Sequence, residues 1–248
     1  MQRIAEPELM DGVEQAFAYT QADFEAPHQH CLDCLRQVLP DLPRAGTALD
    51  LGCGPGDITL RFAKAYPHWQ VHGLEGAPAM LAQGMAAVTR AGLEGRVKLV
   101  QAYLPQGEAP LAQYDLVFSN SLLHHLADPM VLWQSVHRWA APGAGVFMMD
   151  LMRPEGAAIA QALVDQYAAD EPEILRRDFY QSLCAAYRIP EVQQQLQASG
   201  LGHLQIKPVS DRHWIVWGRH SQGSATINSA NCNLKEPNSM CYVPSAKV

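Results

Sequence analysis

The sequence predicts an α/β protein built on a doubly wound, mostly parallel sheet. Three observations carry that reading. Apolar runs alternate with helical segments through the first 150 residues, which implies parallel strands covered by helices on both faces. The stretch "TALDLGCGPGDITLRFA" places three glycines within five residues, between a short apolar run and an amphipathic segment. That is strand, tight loop and helix, the first half of a βαβ unit. Near the end, "LQIKPVSDRHWIVWGR" reads as two strands joined by a short turn.

The elements follow in order. Residues 8–40 read as leading helices, first "VEQAFAYTQADF" and then "PHQHCLDCLRQVL", whose apolar side carries Leu32, Leu35, Val38 and Leu39. Strands are expected near 46–51, 70–75, 96–101, 114–119 and 144–150. The helix after the first strand starts at Asp57, where a carboxylate suits the positive end of the helix dipole. The run "GVFMMDL" is broken by Asp150 and reads as a buried strand, far short of a membrane span. Segment 154–200 is helical, interrupted at Pro172 and Pro190. Trp214 and Trp217 fall on opposite faces of the last strand, which makes them core or interface residues. Residues 1–219 are expected to form one domain, with lid helices at about 8–40 and 154–190. Residues 220–248 turn polar, lose periodicity and read as a flexible tail, on which Met240, Cys241 and Tyr242 could dock on a partner.

The glycine loop is built to bring a ligand against bare backbone. Its order is G-x-G-x-G (Gly52, Gly54, Gly56), and Asp57 stands where the dinucleotide fingerprint has its third glycine. A carboxylate there would repel a pyrophosphate, so NAD fits poorly. A cationic ligand with a ribose fits better. Asp50, at the end of the first strand, can face an ammonium or sulfonium. Glu75, ending "WQVHGLE" some twenty residues on, can accept hydrogen bonds from both ribose hydroxyls.

With "LDLGCGPGD", "VHGLEGAPAML" and "YDLVFSNSLLHHL" in place, the chain resembles the class I S-adenosylmethionine-dependent methyltransferases over roughly positions 13–219. The resemblance implies a Rossmann-like, seven-stranded sheet with an antiparallel C-terminal hairpin and a helical lid. It also implies S-adenosyl-L-methionine as methyl donor. Asp50, Gly52, Cys53 and Gly54 would hold its methionine end. Glu75 would take the ribose, with Gly76, Ala77 and Met80 around the adenosine. Where the family often has an aspartate for the adenine amino group, this chain has Ala102 and Tyr103. Asn120 would lie near the transferring methyl. Two segments would close the site, the leading helix with Tyr19, Asp23 and Phe24, and the later helices with Arg176, Arg177, Asp178, Tyr180 and Tyr187. Such a lid suits a small-molecule acceptor better than a polymer. The alternative is a methyltransferase-like subunit that binds the cofactor, or a partner, without turnover.

In a doubly wound sheet, ligands bind beyond the carboxyl ends of the parallel strands. That rule selects His124 and His125 after the fourth strand, and His213 at the hairpin, as candidate bases for a hydroxyl acceptor. Asp150 is expected to pair with Arg153 or cap the next helix. His28, His30, Cys31 and Cys34 sit close in sequence, but one helix cannot aim all four at one metal, so no metal site is expected. The six cysteines are scattered rather than framed, which argues against a disulfide scaffold. A net charge of −7 offers no basic face to phosphate backbones, so a nucleic-acid substrate is not expected. The N-terminal residues lack the apolar core of a signal peptide, and a cytoplasmic monomer or homodimer with no membrane partner is the expectation.

Overall fold

A computed structural model describes residues 1–221 except 7, 8, 10, 11 and 23. The docking residues Met240, Cys241 and Tyr242, and the tail from 222 onward, lie outside the described residues, as does Asp23. Seven strands form one sheet: β1 (Gly46–Leu51), β2 (Trp69–Glu75), β3 (Val97–Gln101), β4 (Tyr114–Asn120), β5 (Ala140–Leu151), β6 (Gln205–Pro208) and β7 (His213–Arg219). Their spatial order is β3-β2-β1-β4-β5-β7-β6. The first five run parallel, and β7 inserts antiparallel between β5 and β6. The expected strands are all present. β5 is longer than expected and shifts register against β4 between Tyr114 and Leu116.

Strand side chains alternate between two apolar layers. Leu49, Val117, Met148 and Trp214 pack into one, with Trp133 and Trp139 of α5 (Met130–Trp139) and Val192 and Leu196 of α8 (Ile189–Ala198). Ala48, Phe118, Phe147 and Ile215 pack into the other, with Leu32 and Leu35 of α2 (Glu25–Val38) and Phe62 of α3 (Asp57–Ala65). Trp214 is fully buried and its indole donates to the Tyr187 carbonyl, while Trp217 is half-buried under the Lys207 ammonium. α4 (Pro78–Arg90) contributes Met80 to a small cluster with Ala16 of α1 (Val13–Gln21). The lid helices α6 (Ala157–Tyr167) and α7 (Glu173–Ala185) form their own apolar cluster over Leu151 at the end of β5.

Chain order turns back between β1 and β4, which lie side by side. The crevice at such a switch point, beyond the strand carboxyl ends, is where open α/β sheets bind ligands. Asp50 of β1, Glu75 of β2, Asn120 of β4 and Asp150 of β5 all reach that edge. β7 runs the other way, so its first residue, His213, pairs with Leu151 and arrives there too.

Candidate active site

The glycine loop takes the left-handed conformations its composition anticipates. Gly52, Gly54 and Gly56 have φ of +69°, +53° and +82°. A Cβ on Gly52 would also fall 2.8 Å from a Leu122 methyl, whereas one on Gly54 would meet nothing within 4 Å. The main chain at Gly54 is therefore open to a ligand. Beside it, the Glu75 carboxylate is locked by two backbone donors, with Gly54 N–H 2.8 Å from Oε2 and Ala77 N–H 2.7 Å from Oε1. Each carboxylate oxygen keeps lone pairs for further donors. Asp50 is 2% exposed and accepts a 2.6 Å hydrogen bond from the Thr59 hydroxyl. Burial pushes its pKa up to about 7, with the Glu75 charge adding and the Thr59 bond opposing.

Asp57 is occupied with protein partners. His28 of α2 lies 2.5 Å from its Oδ2 and Arg61 2.7 Å away, so the place a pyrophosphate would need is filled. The same pairing takes His28 out of the histidine–cysteine group. His30 contacts the Cys34 thiol at 3.6 Å. The Cys53 thiol is buried, and burial raises its pKa well above the usual value, so it stays protonated and unreactive.

A cavity of about 550 Å³ runs from this loop to the turn after β4. Pockets for small molecules and cofactors span roughly 300–1,000 Å³, so this one is of a size for such a ligand. Tyr19, Asp50, Gly52, Cys53, Gly54, Glu75, Met80, Asn120, His124, His125 and His213 all line it. Tyr19 keeps its proton, because burial and then the Asp57 and Glu75 charges push its pKa up to about 12. Gly76, Ala102 and Tyr103 do not line the cavity. Ala102 is buried in the core just after β3, and Tyr103 is 46% exposed. Of the lid residues singled out from sequence, Tyr19, Phe24 and Asp178 face the cavity, together with Tyr167, Phe179 and Ser182, which sequence reasoning missed. Tyr187 instead lies beneath the Arg3 guanidinium, 4.2 Å from the ring centre.

The far end of the cavity is built on a 3-10 turn, Leu123–His125, entered through Ser121 at φ +58°. Such a φ is uncommon outside glycine and is typical of functional turns. Asp150 does not pair with Arg153, which binds Glu191 and the Ala186 carbonyl. It turns to the adjacent strand end, taking the Leu123 N–H at 2.6 Å and lying 2.5 Å from His124 Nδ1. β5 neighbours β4, so the two strand ends deliver carboxylate and imidazole together. Burial would lower the His124 pKa, but the Asp150 and Glu6 carboxylates outweigh it and leave it raised. His213 behaves oppositely. Burial and Arg212 hold its pKa at about 3, and its Nδ1 lies 3.0 Å from the Ser210 hydroxyl, so it remains neutral.

Glu6 is the residue with no sequence signal at all. Residues 1–6 cross the site as a strap. Arg3 donates to the carbonyls of Ala185, His124 and Leu126, and the Ile4 N–H to Cys184. The strap sets the Glu6 Oε1 3.5 Å from His124 Nε2 and 3.3 Å from His125 Nδ1, with Ser182 donating to Oε2.

The sheet order, the glycine loop with Glu75 behind it and the cavity at the switch point define a Rossmann-like methyltransferase fold. A family model described as "Methyltransferase domain" matches residues 48–143, the stretch from β1 to the start of β5. Among curated proteins it is similar to the trans-aconitate 2-methyltransferase of Azoarcus sp. (strain BH72), 33% identical over 120 residues, 48% of this chain and 44% of that one. The enzyme of the same name from Variovorax paradoxus is 33% identical over 102 residues, 41% of this chain and 37% of the relative. The chain thus spans less than half the length of either. Among solved structures it resembles the Haemonchus contortus phosphoethanolamine N-methyltransferase 2 in complex with S-adenosyl-L-methionine (TM-score 0.61, 18% identity, 80% of this chain and 44% of that one). It also resembles a SAM-dependent methyltransferase from Aquifex aeolicus (TM-score 0.54, 18% identity, 78% and 97%). No helix of the described residues is long and apolar enough to cross a membrane.

Proposed function

We propose that this chain transfers the methyl group of S-adenosyl-L-methionine to a small-molecule acceptor. The observation that carries this is one continuous cavity, with the locked Glu75 carboxylate at one end and His124 and His125 at the other, roofed by α6 and α7. Glu75 accepts the ribose hydroxyls, and the ionised Asp50 faces the ammonium of the methionine end. The bare backbone at Gly54 lets the ligand approach. When bound, the cofactor supplies an electrophilic methyl on a sulfonium, whose C–S electron pair stays on sulfur as the new bond forms. The protein's work is alignment and the exclusion of water. The lid aligns the acceptor against the 3-10 turn, and the proton of a hydroxyl acceptor leaves through the Glu6–His124–His125 group, held in place by Asp150. His213, neutral and hard to protonate, packs rather than reacts.

The likeness to trans-aconitate and phosphoethanolamine enzymes supports a small acceptor, and the roofed cavity supports it independently. The test is incubation with methyl-labelled S-adenosylmethionine and a metabolite extract. Label transferred to a small molecule is the expected result. Cofactor binding without transfer to any small molecule would instead make the chain a cofactor-binding or partner subunit.

A further inference from the structure

Among the described residues, Glu6, His124 and His125 form a group in which one donor atom from each lies within 4.8 Å of the others. We propose that these three side chains bind a divalent cation, best matched by zinc, at the acceptor end of the cavity. The α2 histidines and cysteines, from which no metal site is expected, take no part in it.

The distances separate this reading from a plain ion pair. A charge-assisted hydrogen bond from imidazolium to carboxylate spans about 2.7–2.9 Å. Glu6 Oε1 stands at 3.5 Å from His124 Nε2 and 3.3 Å from His125 Nδ1, and it accepts no hydrogen bond although it is buried. Zinc bonds of about 2.0–2.1 Å set tetrahedral ligands roughly 3.3–3.4 Å apart. An octahedral ion at similar bond lengths would bring them to about 3.0 Å. The two separations measured from Glu6, 3.5 Å and 3.3 Å, lie nearer the tetrahedral spacing than the octahedral one. Two histidines, one carboxylate and a corner left for water or substrate is the donor set of catalytic zinc.

The surroundings agree. His124 turns Nδ1 to the Asp150 carboxylate at 2.5 Å, which leaves Nε2 as the atom facing Glu6. A carboxylate behind a ligating imidazole is the usual support of a metal-bound histidine. The second Glu6 oxygen is held by the Ser182 hydroxyl, and the strap that carries Glu6 is fixed on three carbonyls by Arg3. Both histidines line the cavity, so the fourth corner opens on it. With both His124 nitrogens engaged, a cation there would take over the removal of the acceptor's proton by lowering the pKa of its hydroxyl or thiol, the proton then leaving to water. That role, unlike the binding itself, rests on the proposed methyl transfer.

The test uses the full chain without a histidine tag, stripped with chelator, desalted and titrated with zinc alone against a chromophoric competitor. One equivalent should bind, with affinity at least 100-fold weaker in Glu6→Gln and in His125→Ala. Asp150→Asn should cost about 10–100-fold, the usual loss when a supporting carboxylate is removed. Far-UV circular dichroism on each variant reports folding, and zinc should raise Tm in the wild type but not in Glu6→Gln. No binding by the wild-type chain would overturn the inference. So would one equivalent bound undiminished in both Glu6→Gln and His125→Ala, which would place the ion elsewhere. S-adenosylhomocysteine binding is measured alongside. Its failure with zinc binding intact would refute the methyltransferase reading alone, and the reverse outcome would refute only the metal site.

Discussion

Lowering the pH from 8 to 6 should weaken cofactor binding through one buried carboxylate. Asp50 has a pKa of about 7 in the free protein because burial disfavours its charge. A bound ammonium favours the ionised form, so the pKa in the complex lies lower and binding releases a proton. The sign follows: affinity is full above pH 7 and falls below it, by about tenfold per pH unit. With a pKa near 7, Asp50 passes from about 90% ionised at pH 8 to about 10% at pH 6, an affinity loss of about tenfold. Other groups on the cavity titrate too, among them Glu75 on β2, whose pKa burial raises, and His124, whose pKa the Asp150 carboxylate holds up against burial. Asp50→Asn separates them, since it should bind 10–150-fold more weakly at pH 8, roughly 1.5–3 kcal/mol for a charged hydrogen bond, with a flatter profile. Thr59→Val removes the hydrogen bond that holds the ionised carboxylate, and should move the decline to higher pH. Calorimetry with S-adenosylhomocysteine in two buffers of different ionisation enthalpy measures both affinity and proton release. A wild-type affinity flat from pH 6 to 8, or the same slope in Asp50→Asn, would refute the reasoning.

Glu75→Ala should weaken S-adenosylhomocysteine by about 1.5–3 kcal/mol in calorimetry, with the strands intact by circular dichroism. Gly52→Ala should abolish cofactor binding, because the new methyl would meet Leu122 at 2.8 Å in a backbone held at φ +69°; equilibrium dialysis reads this directly. His124→Ala should lower kcat by roughly 10²–10⁴-fold against any acceptor found in extract, with cofactor affinity little changed, while His213→Ala should lower kcat far less. NAD should show no heat of binding at concentrations where S-adenosylhomocysteine saturates, because Asp57 and its partners His28 and Arg61 fill the pyrophosphate position.

The sequence by itself determined the sheet, the loop and the place where a ligand must lie. Period-two alternation, as in Leu49 against Ala48 or Trp214 against Ile215, is a local consequence of backbone geometry and is legible in one dimension. The positive φ of Gly52, Gly54 and Gly56, and the carboxylate ending β2, are also local, and each was readable from residue type and spacing. What tertiary structure decided were contacts between distant segments. Asp150 looked like a partner for Arg153 three residues on, yet the pairing of β5 with β4 brings it to His124, while Arg153 is drawn away by Glu191. His213 looked like a base because of its place on the edge, but its burial, invisible in sequence, holds its pKa near 3. Tyr103 followed the third strand as the adenine residue should, but it is 46% exposed and outside the cavity lining. Glu6 carried no signal, since it stands in a segment without periodicity and reaches the histidines only because Arg3 ties that segment to the carbonyls of Ala185 and His124. Periodicity and turn chemistry arise from neighbours along the chain, whereas the partners of a buried charge are set by which strands lie side by side and what closes over them.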